Sequence, residues 1–383
     1  VNIGILGPFP PFRGGISTFN VHLTLHLAPY CQPIPLNYCQ QYPRIIFPGQ
    51  TQLDRSRTPF PIAARPVFAP FRFWHWRSGR RQLAEAQLSL LVLSWWTPIF
   101  APSMYLFLKR FIRKHPLPLL AICHNIRPHE RIPFTLFFQK RLLGLMDSYI
   151  THSLPDSRIL ADWFPGRTVR SLFHPVYDQF PVTADLDRPG ARSRLGIAAP
   201  DKPLILFFGL VRPYKGLSVL LEAFKNLMES DTPLPTLLIA GEFYENRATF
   251  EPLLSQLVRT GHVLLHDRFI PNEDVRHYFA AADAVILPYR HATQSGVIPL
   301  AYACDRGVVT TRVGGLAEMV EDTVSGILVP PEDPAALAAG IRRFLEHQSE
   351  IERNVPRFAQ RFGWDHYIQH VLPLAGATPQ SRP

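Results

Sequence analysis

The sequence predicts an α/β protein of two successive domains, each built on a parallel sheet. Three observations predict it. Short apolar runs alternate from end to end with longer segments of helical period, the mark of βαβ units. The alternation starts afresh at Pro203. Between the two series lies VTADLDRPGARSRLGIAAPDK, whose proline, glycine and charge suit a linker. The boundary is expected near residue 185, with one domain over 1–185 and a second over 186–352.

In the first series, Asn2–Leu6 is an apolar run that stops at Gly7-Pro8 and reads as a buried strand. Further strands are predicted over 34–38, 88–94, 117–123, 149–151 and 169–173, with helices over 16–27 and 134–146. The second series opens with PLILFFG (203–209), then a helix over Leu217–Met228 and the strand TLLIAG (236–241). Strands follow over 263–265, Ala284–Leu287, Val308–Thr311 and Gly326–Val329. Residues 42–76 have no clean period. Their prolines and aromatics suggest an ordered excursion, packed on the body or open to acceptor or lipid.

The four cysteines, Cys31, Cys39, Cys123 and Cys304, form no CxxC pair and no zinc spacing, so a reduced cytosolic compartment and no structural metal are expected. Charge is uneven. Residues 1–180 carry 20 Lys and Arg against 7 Asp and Glu, a net of +13, while 181–383 carry 20 against 23, a net of −3. A half so basic is drawn to anions. With no zinc finger, RNP-like motif or basic heptad region, nucleic acid is not expected, and an anionic membrane is the better partner. Arg131, Lys140 and Arg141 flank Phe134, Phe137, Phe138 and Leu142, a pattern that can lie on a bilayer or serve as a core helix with solvated ends. No basic leader precedes the first apolar run, so it does not read as a secretory signal. QLSLLVLSWWTPIFAPSMYLFL (87–108) is uncharged and long enough to span a bilayer, but Pro98 and Pro102 interrupt it, and a strand followed by a loop is expected.

Candidate chemistry lies where strands run into loops. Gly14-Gly15 follow the first strand and precede a helix, so bare backbone could meet a phosphate there; a tight turn is the plainer reading. In FFGLVRPYKG, a strand ends at Gly209 and a loop carries Arg212 and Lys215, cations able to meet a diphosphate at the carboxyl edge of a parallel sheet, or to be solvated. His124 closes the strand before it, and HNIRPHE lacks the helical spacing of a metal-binding HExxH. In HATQSGVIPLAYACDRG, Gln294-Ser295-Gly296 open a helical pattern with no charge from Ala292 to Cys304. Unpaired N–H groups at such a start attract anions, although polar caps are common. A last block, VGGLAEMVEDTVSGILVPPEDPAALA, joins a Gly314-Gly315 turn, a short helix with Glu318, a strand and an Asp333-capped helix.

On these motifs the chain resembles the GT-B glycosyltransferases of the large retaining family four, over nearly its whole length and most specifically in its second half. The resemblance implies two Rossmann-like domains facing across a cleft, with a terminal helix in 353–383 crossing back to the first domain. It also implies roles: Gly14 and Gly15 near the donor phosphates and sugar, His124 beside the reacting sugar, Lys215 on the diphosphate. The family's E-x7-E loop aligns with Ala292 and Leu300, neither acidic. The TQSGV stretch looks like a subgroup variant, so Gln294, Ser295, Gly296 and Val297 fall to donor pyrophosphate and sugar, with Gly209 at the strand end. The usual arginine position aligns with Leu210, so Arg212 serves from a shifted place.

The implied activity is transfer of a sugar from a nucleotide-diphosphate donor to a saccharide or lipid-linked acceptor hydroxyl with retention, in envelope polysaccharide or glycolipid synthesis, cytoplasmic or peripheral on the inner face of the plasma membrane. No cofactor or metal is expected: fixed cations and backbone N–H groups stabilise the leaving diphosphate. A sugar-nucleotide isomerase on the same fold and a non-catalytic nucleotide-sugar-binding protein are the alternatives.

Overall fold

The computed structural model describes residues 1–42, 51–54, 56, 62–126, 135–177, 186–197, 201–229 and 233–377. Their contacts divide them into two compact units. One holds the described residues of Val1–Asp54, Pro59–Phe173 and Trp364–Pro383, the other those of His174–Gly363 with Ser56. The chain thus changes unit at Phe173–His174 and again at Gly363–Trp364, where the sequence placed its boundaries at 185 and 352.

In the first unit the order is β1 (Asn2–Leu6), α1 (Gly15–Leu27), β2 (Gln32–Tyr38), β3 (Arg65–Phe68), α2 (Trp76–Glu85), β4 (Leu90–Trp95), α3 (Ala101–Ile112), β5 (Leu119–Cys123), α4 (Thr135–Leu143), β6 (Ser148–Thr151), α5 (Leu154–Trp163) and β7 (Thr168–Ser171). Among the described residues the strands form one parallel sheet in the order β3-β2-β1-β4-β5-β6-β7. The strand period of two splits its side chains between two cores. Leu91, Leu93, Leu119 and Ala121 point to a core closed by α2, α3, α4 and α5 through Leu83, Phe107, Leu142 and Leu160. Leu90, Val92, Leu120 and Ile122 point to the opposite core, closed by α1 and by the C-terminal segment.

The second unit runs α6 (Arg188–Arg194), β8 (Leu204–Phe208), α7 (Leu217–Met228), β9 (Thr236–Ala240), α8 (Glu251–Arg259), β10 (Val263–His266), α9 (Asn272–Ala281), β11 (Ala284–Leu287), α10 (Val297–Ala303), β12 (Val308–Thr311), α11 (Gly314–Glu318), β13 (Gly326–Val329) and α12 (Pro334–Ala359). Its parallel sheet has the order β10-β9-β8-β11-β12-β13. After Gly363 the chain enters α13 (Trp364–Val371), which packs on α1 in the first unit.

The uncharged 87–108 stretch is β4, a 3-10 turn at Pro98–Phe100 and most of α3. Among the described residues no helix is long and apolar enough to cross a membrane. The strand absent from the sequence reading is β3. It carries Pro66 on the outer edge of the sheet, where a missing N–H is tolerated, and its register with β2 slips between Asn37 and Tyr38.

Candidate active site

In an open α/β sheet, ligands bind beyond the carboxyl ends of the strands at the point where strand order reverses. In the second unit, β8 is followed on one side by β9 and β10 and on the other by β11, so that point lies between β8 and β11. The loops after these two strands carry Arg212 with Lys215 and Gln294-Ser295-Gly296.

Backbone geometry brings the two loops together. Gly209 ends β8 at φ +94, a 3-10 turn spans Pro213–Lys215, and Gly216 starts α7 at φ +69. A Cβ on Gly216 would stand 2.0 Å from the carbonyl oxygen of Pro288, just past β11, so only glycine permits this approach. The Arg290 N–H donates to the Tyr214 carbonyl at 2.8 Å. On the other side Gly241 allows the loop after β9 to meet Gly209, whose own N–H is held by Ala240.

Lys215 is folded back beneath Gly209; a Cβ there would lie 3.0 Å from its Nζ. The side chain is only 8% exposed, and among the described residues it makes no ion pair. Burial, and then the nearby charge of Arg212, push its pKa down from 10.5 to about 7. Arg212 is half-buried, with its guanidinium 5.0 Å from the ring centre of Tyr244.

The ammonium of Lys215 lies 5.6 Å from the ring centre of Tyr289, whose hydroxyl is 3.3 Å from Ser295 Oγ. One buried tyrosine therefore touches both predicted halves of the anion site. Its ring packs edge-on against Tyr214 at 5.9 Å, and its carbonyl accepts from the Thr311 hydroxyl at 2.6 Å. The sequence reading passed over Tyr289 because one aromatic residue after a strand forms no pattern. Its position immediately after Pro288, at the end of β11, was the available signal.

Ser295 Oγ also accepts the N–H of Val297 at 3.2 Å, which occupies one donor of the short α10. Val297 is buried, and its N–H is already engaged. The N–H groups of Ser295 and Gly296 donate to no acceptor among the described residues. Gln294 is half-buried with its Oε1 enclosed, and no described donor reaches that oxygen. Ala292 and Leu300 put no carboxylate here, and Gly314, whose Cβ would stand 1.8 Å from the Ala292 carbonyl, seats the loop on the end of β12.

In the first unit, Gly14 takes φ +118 and caps the amino end of α1, whose first turn holds no acidic residue. Gly14 and Gly15 are exposed, and a Cβ on either would meet nothing within 4 Å. Packing gives no reason for Gly15. His124 follows β5 and donates its N–H to Trp95 at 2.8 Å. Its ring is buried, edge-on to Phe19 at 4.8 Å and tilted against His152 at 5.1 Å. Residues 127–130 of HNIRPHE lie outside the described residues. Among the described residues no three His, Cys, Asp or Glu side chains gather as a metal site.

A family profile described as glycosyl transferases group 1 matches residues 202–347. The D-inositol 3-phosphate glycosyltransferase of Geodermatophilus obscurus is 30% identical over 260 residues, covering 66% of this chain and 56% of that protein. The Jonesia denitrificans protein of that name is 33% identical over 202 residues, 51% of this chain and 47% of that one. The chain thus spans about half the length of the curated relatives it matches. Among solved structures, Anabaena HepE in complex with UDP-glucose has a TM-score of 0.74 at 19% identity, covering 98% of this chain and 99% of its own. Sucrose-phosphate synthase from Thermosynechococcus elongatus scores 0.73 at 19% identity, covering 97% and 98%. These structural likenesses carry the fold, which is the GT-B pair of Rossmann-like domains. Residues 202–347, the segment that holds Arg212, Lys215, Tyr289 and the 294–297 loop, match the family of glycosyl transferases group 1.

Proposed function

We propose that the chain is a retaining glycosyltransferase that moves a sugar from a nucleotide-diphosphate donor to an acceptor hydroxyl. The observation that carries this reading is Lys215, a buried amine at the switch point of a parallel sheet that makes no ion pair among the described residues. Its charge costs stability unless an anion arrives to pair with it.

In the transfer, the bond from the sugar's anomeric carbon to the β-phosphate oxygen breaks, and its electron pair leaves with the diphosphate. The acceptor oxygen forms the new bond and gives its proton to the departing diphosphate oxygen. Lys215 and Arg212 offset the charge that grows on the leaving group, and the N–H groups of Ser295 and Gly296 donate to it. The enclosed Oε1 of Gln294 suits a sugar hydroxyl. Gly14, Gly15 and His124 are assigned to donor phosphates and sugar on the strength of the resemblance, supported at Gly14 by its exposed backbone at φ +118. No protein nucleophile is assigned. The surplus of basic residues before residue 180 supports an acceptor held at an anionic membrane, a lipid-linked saccharide in envelope polysaccharide or glycolipid assembly on the inner face.

A thermal-shift screen of nucleotide sugars selects the donor, since a ligand of the folded state alone raises Tm. That donor is then incubated with an acceptor panel that includes inositol 3-phosphate, the compound in the relatives' name. The expected result is an acceptor heavier by one sugar with release of nucleoside diphosphate, lowered about 10²–10³-fold in Lys215→Ala. A rearranged sugar nucleotide formed without acceptor would make the chain an isomerase. Tight donor binding without transfer would make it a binding protein, the alternative that the absent acids at 292 and 300 leave open.

A further inference from the structure

Three neighbouring helices, α2, α3 and α4, cover one face of the first sheet, and their outer sides carry side chains that the core does not use. Phe73 is 71% exposed and Trp74 61%, in the 3-10 turn that leads into α2. Leu106 on α3, and Leu136 and Phe137 in the first turn of α4, are each more than half exposed. A single exposed apolar residue needs no explanation, but five on adjoining helices do.

Charge on the same helices is one-sided. Together α2, α3 and α4 hold seven Arg and Lys against Glu85 alone, and Glu85 is taken by Arg81 at 2.7 Å. Basic groups of neighbouring helices lie close enough to act on the same side chains. The Tyr105 hydroxyl meets Lys109 at 2.8 Å and is lowered in pKa by that bond first, with Arg141 of α4 adding to it. Burial and then Arg110 of α3 lower Arg80 of α2. Arg141 lies 4.6 Å over the ring of Phe137, so cation and aromatic occupy one spot.

We propose that the outer face of α2, α3 and α4, led by Phe73, Trp74 and Phe137, docks on an anionic lipid bilayer. Aromatic tips interleaved with Arg and Lys suit the headgroup layer, where the rings enter the interface and the cations meet lipid phosphate. The surface differs from the one the sequence suggested. Leu142 is fully buried and Phe138 half-buried against the core, while Arg131 and Phe134 lie outside the described residues. What α4 offers is Leu136 and Phe137. The opposite face of the sheet is already closed by α1 and α13. The inference deepens the membrane part of the proposed function and does not depend on sugar transfer.

The test is co-sedimentation of the full chain with vesicles of phosphatidylcholine alone or mixed with phosphatidylglycerol. Binding is expected to the mixed vesicles only and to fall at high salt. The paired substitution Phe73→Ser with Trp74→Ser, and separately Arg77→Glu with Lys140→Glu, should each weaken binding on the order of tenfold, whereas Lys225→Glu in the second unit should not. Donor-induced thermal shifts should stay unchanged in every variant, which separates loss of docking from failure of the donor site. No binding to mixed vesicles, equal binding to both kinds, or variants that bind like the parent would overturn the proposal. So would a dimer in sedimentation velocity that the Phe73/Trp74 substitutions dissociate.

Discussion

Lys215 is charged in the free protein only below a pH of about 7, because burial disfavours its cation. A bound pyrophosphate restores the proton. Donor affinity should therefore fall as pH rises from ~7 to ~9, by up to about tenfold per unit, as bound and free forms differ by one proton there. Calorimetric titration with a nucleotide sugar reads this directly, and Lys215→Arg, which keeps its proton, should flatten the profile. The effect on folding has the opposite sign. Between about 7 and 10.5 the unfolded chain holds a proton that the folded chain has lost, so the cost of burying Lys215 is relieved as pH rises. Tyr289 positions this cation and Ser295 together. Tyr289→Phe keeps the ring and should raise the donor KM roughly fivefold, about 1 kcal/mol for one hydrogen bond, while Tyr289→Leu should lose more. Lys215 was legible in the sequence because a strand-end glycine, two cations and a second glycine share one loop. Tyr289 was not, since its role depends on a loop that only folding brings beside it.

At the scale of elements, the site exists because turns let three strand ends approach. Gly216→Ala would force an L side chain to φ +69 and into the Pro288 carbonyl. A loss of about 3 kcal/mol is expected from strain and displacement together, measured by urea unfolding, with donor affinity lowered as well. A second fastening lies at the start of the same strands. Asp283, buried just before β11, takes Arg192 at 2.5 Å, the Leu204 N–H at 2.6 Å, Gln348 at 2.9 Å and Arg188 at 3.1 Å. It ties α6 and α12 to β8. Asp283→Asn leaves the Arg192 guanidinium buried without its counter-charge and should cost about 3–5 kcal/mol. The strands of this sheet were readable because both of their faces are buried, which makes LILFF, TLLIA and AVIL continuous apolar runs. β3 escaped for the converse reason: four edge residues with a proline show neither run nor alternation.

For the whole molecule, the last helix belongs to the first unit although it follows the second in sequence. Trp364 stacks on His26 at 4.9 Å and, with Tyr367, Ile368 and Val371, completes the core beneath α1. Trp364→Ala should cost about 3–5 kcal/mol and speed hydrogen exchange in α1 and β1, leaving α7 and β9 protected. The two alternating series announced both sheets in the sequence. The resemblance implied that the chain returns to the first domain, but from residue 353; the actual change of unit at Gly363 was not legible, because a 3-10 turn and one glycine separate two helices of ordinary amphipathic pattern. The proposed transfer rests on one pyrophosphate gripped by Lys215 and by the backbone at 295–296. A crystal structure of the chain with its selected nucleotide sugar tests it most directly. Lys215 Nζ and the Ser295 and Gly296 N–H groups are expected within hydrogen-bonding reach of the same diphosphate, with Tyr289 between them. A donor bound with its phosphates away from Lys215 would contradict it.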